Sequence, residues 1–221
     1  MCWQYRGLWT GCIPAWATLT WTTSCQGIWL IKISLSLALL IGCAVIAPII
    51  FRFVQQRKGF VLNDLLLAHL PPFDLSIWIF TILYALIILG VISIASSPYT
   101  FLATLQAYIL LTIFRFITLW LTPLEPPTNI IELHDPFVQH LFYQQSITKD
   151  LFFSGHTSLL VLLTLAVPNR NIHKILLVGA LVIGLMLLIQ HAHYTVDVLL
   201  APAFAWLAFY ASSLLNKKVE P

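Results

Sequence analysis

Two polar clusters interrupt otherwise apolar sequence, and their residue types are those of a phosphate-ester site. The first is Ser154-Gly155-His156-Thr157, and the second is His193-Tyr194-Thr195-Val196-Asp197. His193 and Asp197 stand at i, i+4, a spacing that puts two side chains on one helical face. The carboxylate can then hydrogen-bond one ring nitrogen and leave the other free. An imidazole held in this way can attack phosphorus and form a phosphohistidine. His156 would protonate the leaving oxygen and afterwards activate the acceptor. The bland alternative is a pair of polar residues that satisfy each other at a span end, where ionisable groups are not expensive.

The Ser-Gly-His-Thr cluster has its own physics. Ser154 is placed to cap a helix and to offer a hydroxyl. Gly155 lets the backbone approach an anion closely, and the free N–H groups of a first turn that includes Thr157 favour phosphate. The two histidines are 37 positions apart. Two membrane crossings of about 17–20 residues each use nearly all of that, so both histidines return to one membrane face.

Arg115 is the third element. It lies in the apolar stretch 109–120, where a guanidinium needs a partner. Its planar fork suits a phosphate, and the alternatives are an ion pair with a loop acid or snorkelling to the span end. Lys149 and Asp150, just before the cluster, read as a phosphate contact and an orienting group, or equally as a solvated loop pair. A metal-dependent reading takes His191, His193, His156 and Asp197 as ligands for zinc or another divalent cation. Helical side chains at i, i+2 diverge, however, so the metal-free reading ranks above it and His191 reads as a polar residue at a span end.

The elements that must position these groups are membrane helices. The chain of 221 residues is 60% hydrophobic and only 9% charged. With a mean hydropathy of +0.92 it lies far from an average soluble domain. Apolar runs predict six spans, at 28–51, 75–95, 99–121, 158–167 extended at both ends, 175–190 and 196–215. The expected fold is all-α, a polytopic bundle of about six transmembrane helices over residues 28–215. A Trp-rich segment of unassigned role, 1–27, precedes it, and a short basic tail, 216–221, follows. Cys2, Cys12, Cys25 and Cys43 form no metal-type pair and no disulfide framework.

Two polar loops share the face of the two clusters. The loop 52–73 runs into Leu70-Pro71-Pro72-Phe73-Asp74, a rigid lead-in with Asp74 at an ordinary helix N-cap position. The loop 122–153 carries Pro123, Pro126, Pro127 and Pro136 together with Glu125, Glu132, His134, Asp135 and His140, and is a candidate lid. The opposite face holds Arg6, Arg170, Lys174, Lys217 and Lys218, with Lys32 near its edge, against Arg52, Arg57, Lys58 and Lys149 on the cluster face. That slight excess predicts cytoplasmic termini and an outward-facing site.

With these residues the chain resembles the sphingomyelin synthase-like branch of the type 2 phosphatidic acid phosphatase superfamily. That branch shows Asp-x-x-x-Ser-Gly-His-Thr, matched by Asp150 through Thr157, and His-Tyr-Thr-x-Asp-Val, matched by His193 through Val198. An upstream Arg-x-x-Thr and Thr-x-Leu-x-Pro are matched by Arg115, Thr118 and Thr122 through Pro126, and Pro71-Pro72-Phe73-Asp74 is a shortened counterpart of Pro-Pro-x-x-Asp. The family's Cys-Gly before the aspartate is Thr148-Lys149 here, and no arginine lies within Met186–Gln190, where the wider superfamily carries one before its nucleophile.

The resemblance implies a histidine nucleophile (His193), its orienting aspartate (Asp197) and an acid/base histidine (His156). It implies no metal and no organic cofactor, and an exoplasmic site. The substrate would be a membrane lipid phosphate or phospholipid, and the acceptor water or a lipid hydroxyl. The compact form is similar to bacterial relatives, so a bacterial inner or plasma membrane is expected. No nucleic acid partner is expected, and oligomeric state is left open. The rival classes are a non-enzymatic lipid carrier or permease and a metal-dependent membrane hydrolase.

Overall fold

Backbone in hydrocarbon must satisfy its own hydrogen bonds, and the apolar runs of this chain accordingly fold as helices. The computed structural model of the protein describes residues 28–135 and 147–216. Among these residues there are six α-helices: α1 (Ile28–Gln56), α2 (Ser76–Ala95), α3 (Pro98–Leu121), α4 (Gly155–Ala166), α5 (Arg170–Ile189) and α6 (Thr195–Asn216). A 3₁₀ turn at Leu67–His69 lies between α1 and α2, and among the described residues strand pairing is confined to one isolated bridge, Phe60 to Leu124. Among the described residues, five helices are long and apolar enough to cross a membrane. The protein is an all-helical, polytopic membrane bundle.

The expectations for segment 1–27 with Arg6, Cys2, Cys12 and Cys25, for Pro136 and His140, and for Lys217 and Lys218 lie outside the described residues.

One expected span is corrected. The run around 158–167 does not extend at both ends into a full crossing: α4 has 12 residues, about 18 Å of helix. The chain ahead of it descends into the bundle as non-helical backbone, with Leu151 and Phe153 buried. Such backbone is tolerated at membrane depth only where protein satisfies it. Here Phe152 N–H donates to Asp197 Oδ1 at 3.2 Å, Ser154 N–H donates to the Asp197 carbonyl at 3.0 Å, and the Phe153 carbonyl accepts from Arg115 at 2.9 Å. Asn169 then starts α5, its side chain accepting from the N–H groups of Asn171 and Ile172.

The short helix is enclosed by its neighbours. Leu160 and Leu163 of α4 pack with Ile79 and Leu83 of α2 and Leu176 and Ile183 of α5. Leu162 turns the other way, towards Ala107 and Leu111 of α3 and Ala205 and Ala208 of α6. On α6, Ala201, Ala205, Ala208 and Ser212 are buried at helical spacing, a seam of small residues that lets helices approach closely. At the end away from the clusters, Ser212 Oγ donates to the Ala103 carbonyl at 2.6 Å and Asn216 Nδ2 to Gln106 Oε1 at 2.6 Å. α1 is peripheral: it packs on α3, and only 6% of its most apolar window is buried.

At the cluster end the loops are tied to helix ends. The Arg57 guanidinium donates to the carbonyls of Leu119, Trp120 and Thr122, supplying donors to the open C-terminus of α3. Asp74 acts one residue before the helix-starting position of α2, whose N-cap is Leu75. Its Oδ1 accepts from Ser76 N–H at 3.0 Å and Ser76 Oγ–H at 2.8 Å. Gln190, fully buried at the end of α5, accepts from Leu75 N–H and donates to Ser76 Oγ and the Glu132 carbonyl. It joins α5, α2 and the second loop. Gln190→Ala removes the acceptor of Leu75 N–H and the donor to Ser76 Oγ and the Glu132 carbonyl, and is expected to cost about 1–3 kcal/mol, read as a lower thermal unfolding midpoint in detergent.

Candidate active site

α6 begins with a capping arrangement rather than with a helical His–Asp face. His193 and Tyr194 precede the helix, which starts at Thr195. Asp197, the third residue of α6, reaches back so that its Oδ2 accepts from Tyr194 N–H at 3.1 Å, the reciprocal half of a capping box. The same Oδ2 pairs with His193 Nδ1 at 3.3 Å. The expected contact therefore forms, but the helix start creates it, not a shared helical surface. Asp197 is 0% exposed. With Phe152 N–H on Oδ1, its carboxylate is held by three donors, as a buried charge requires. In the tautomer that donates from Nδ1 to this carboxylate, the His193 lone pair lies on Nε2. Among the described residues His193 Nε2 has no hydrogen-bond partner, and its lone pair is available.

The second cluster meets this one through the backbone bond from Ser154 to the Asp197 carbonyl. Ser154 caps α4: its Oγ accepts from Thr157 N–H at 3.3 Å and from Thr157 Oγ–H at 3.1 Å. Phe152, just upstream, takes φ 107°, an expensive conformation for an aromatic residue and one that aims its N–H at Asp197. His156 lies edge-on to Phe80, with ring centroids 5.7 Å apart, and its Nδ1 is buried with no partner among the described residues. The charged and titratable groups within electrostatic reach of His156 are His193, Arg115, Asp150 and Asp135.

Arg115 is held as a fork. Its Nε donates to Asp150 Oδ1 at 3.1 Å, one terminal nitrogen pairs with Asp150 Oδ2, and the other donates to the Phe153 carbonyl. The guanidinium also lies over the Phe153 ring, 5.7 Å from its centroid. A Cβ at residue 155 would overlap this guanidinium, so Gly155 admits the arginine to the start of α4. Three of the five guanidinium N–H groups are engaged, which leaves two for a ligand. The ion pair and the phosphate reading are thus compatible, with Asp150 as the orienting partner.

Other residues singled out from the sequence are placed elsewhere. Lys149 Nζ donates to Glu125 Oε1 at 2.8 Å and to the Arg57 carbonyl at 2.8 Å, so it clamps the two loops together. His191 takes φ 57° and pairs through Nε2 with the Leu70 carbonyl at 3.0 Å. Among the described residues no group of three or more His, Cys, Asp or Glu side chains is placed to hold a metal ion.

Sequence reasoning overlooked Asp64. Its Oδ2 accepts from Thr195 N–H at 2.6 Å and its Oδ1 from Thr195 Oγ–H at 2.9 Å, while Leu66 N–H also donates to it. It caps α6 from 131 residues away, next to His193. Tyr194 works beside it: its hydroxyl accepts from Leu62 N–H at 3.2 Å and donates to the Glu125 carbonyl at 2.9 Å, drawing both loops onto the site. No local pattern marks Asp64, because the helix it caps is built by a different part of the chain. Partial burial raises the Asp64 pKa, but the bonds from Thr195, Leu67 and Leu66 outweigh it and hold the value below the usual carboxylate range. A depressed pKa stabilises fully above the unfolded value of about 4 and loses that contribution as pH falls through the folded value. Asp64→Ala is expected to lower the unfolding midpoint by the loss of a cap, about 1 kcal/mol. Limited proteolysis of the 57–75 loop should increase on acidification in the wild type and depend less on pH in Asp64→Asn, with Asp74 and Glu125 supplying what remains.

No curated protein matches the chain. Residues 149–214, which include Asp150, His156, His193 and Asp197 and run from just before α4 into the last turns of α6, match the family model PAP2 superfamily C-terminal. That match supports the type 2 phosphatidic acid phosphatase superfamily, and with it an integral membrane enzyme of phosphatase or phosphotransferase type.

Proposed function

We propose that this protein cleaves a lipid phosphate or phospholipid headgroup ester through a phosphohistidine, as a lipid phosphatase or headgroup transferase of the sphingomyelin synthase-like type. The observation that carries the reading is the His193–Asp197 pair, with His193 Nε2 unengaged beside His156 and the Ser154-capped start of α4. In the first step Nε2 attacks phosphorus, the bond from phosphorus to the leaving oxygen breaks, and protonated His156 gives that oxygen its proton. Asp197 stabilises the charge that develops on the His193 ring. In the second step His156 takes a proton from water or a lipid hydroxyl, the acceptor oxygen bonds to phosphorus, and the P–N bond breaks. Arg115 and the N–H groups at the start of α4 neutralise the phosphoryl oxygens in both steps.

Depth supports a lipid substrate. Thr157, in the first turn of α4, packs against Gly184, five residues before the end of α5, so Thr157 is recessed by about 7–8 Å from that helix end. A headgroup ester anchored by its chains reaches such a level without leaving the bilayer. The excess of Arg and Lys on the opposite face supports an exoplasmic site, and the compact form, similar to bacterial relatives, supports a bacterial inner or plasma membrane.

Turnover by the detergent-purified protein on a panel of lipid phosphates and phospholipids tests the proposal, with and without diacylglycerol or ceramide as acceptor. Phosphate release without an acceptor identifies a phosphatase, and product only with a lipid hydroxyl identifies a transferase. His193→Ala is expected to abolish turnover, Asp197→Asn to reduce kcat by about 10⁴-fold, and His156→Ala by about 10²–10⁴-fold, each with the fold retained. Near-normal activity in either histidine variant would sink the mechanism. Labelled phosphate recovered on His193 after denaturation separates this enzyme from a lipid carrier, which forms no covalent intermediate. Gly155→Ala displaces Arg115 and should cost about 10²-fold in kcat/KM.

A further inference from the structure

The loop between α1 and α2 is built inside out for a segment that faces water. Several of its polar groups point inward, although Asn63 and His69 are exposed: Phe60 N–H donates to the Pro123 carbonyl and its carbonyl accepts from Glu125 N–H, Leu62 N–H donates to Tyr194, and Asp64 bonds Thr195. Its apolar side chains point outward. Phe60 is 73% exposed, Leu65 74% and Phe73 63%, with Val61, Leu62 and Leu66 also exposed between them. A contiguous apolar patch of this kind marks a contact surface, since single exposed apolar residues are ordinary but a run of them is not.

We propose that this loop lies in the headgroup–acyl boundary of the bilayer, with Phe60, Val61, Leu65 and Leu66 inserted in lipid. Two observations select lipid as the occupant. The patch continues the lipid-facing surfaces of the helices that flank it, where Phe53 of α1 and Ile77 and Trp78 of α2 are exposed. Exposed Arg52 and Lys58 stand where the chain enters the loop, as cations do beside anionic headgroups. Tryptophan at the level of Trp78 also suits that interface. The inference is independent of the catalytic reading. It adds that membrane contact bears directly on the site, because Asp64 and Tyr194 tie the same loop to the start of α6.

The test places an environment-sensitive nitrobenzoxadiazole probe on single cysteines in an otherwise cysteine-free chain. Phe60→Cys and Leu65→Cys are compared with Ile77→Cys as a lipid-facing reference and Asn129→Cys, on an exposed polar stretch, as a water-facing one. The protein is reconstituted in nanodiscs of phosphatidylcholine and phosphatidylglycerol, with and without lipids spin-labelled near the headgroup. The expected result is blue-shifted emission at residues 60 and 65, quenched as fully as the Ile77 probe. Emission at the water-facing position with no quenching overturns the proposal. Blue-shifted emission that spin-labelled lipid does not quench also overturns it, and assigns the patch to protein instead. If Phe60→Cys does not fold, Val61→Cys replaces it.

Discussion

A carboxylate buried to 0% exposure must be surrounded by donors, and the arrangement at Asp197 organises the functional end of this protein. Its two oxygens take Tyr194 N–H, Phe152 N–H and His193 Nδ1, and its own carbonyl takes Ser154 N–H. One residue in the first turn of α6 therefore sets the ring of His193, the strained path of residues 152–154 and the start of α4. The same bonds satisfy the non-helical backbone that enters the bundle ahead of Ser154. Loss of the carboxylate would leave several buried donors unpaired at once.

Around that centre a second layer of charge holds the loops. Glu125 accepts from Gly59 N–H and Lys149 Nζ, and the Lys149 bond holds its carboxyl below the usual range. Arg57 satisfies the end of α3, and Gly59 comes so close to Pro123 that a Cβ there would lie 2.7 Å from its carbonyl oxygen. The result is a cover made of two sequence-distant loops that meet at Tyr194. It is anchored on the helix starts and ends that surround His156 and His193, so loop geometry and site geometry are not independent.

Much of this was legible in the residues. Apolar runs became helices because lipid leaves no other partner for the backbone, and five of them are long enough to span. The Ser154 cap was readable because capping is local: Oγ and Thr157 N–H are three residues apart. The two clusters do meet, through the bond from Ser154 N–H to the Asp197 carbonyl, although the count that anticipated this assumed two full crossings and α4 is shorter than one. The expected full span at α4 was not obtained, because hydropathy measures preference for an apolar place and does not distinguish lipid from the inside of a bundle. Enclosed by protein, α4 needs only 12 residues.

What the sequence determined by itself was therefore whatever depends on neighbours in the chain: helical class, caps, and the residue types available at each end of a span. Tertiary structure alone decided the partners. Asp64 meets Thr195 across 131 residues, Arg115 meets Asp150 rather than an unpaired apolar wall, and Lys149 goes to Glu125. The capping of α6 by Asp64 could not be read from either segment, since each donor and acceptor is ordinary in its own loop. Only the close approach of helix ends gives them energies that select one pairing over another, because a buried polar group left unpaired costs more than any single contact returns.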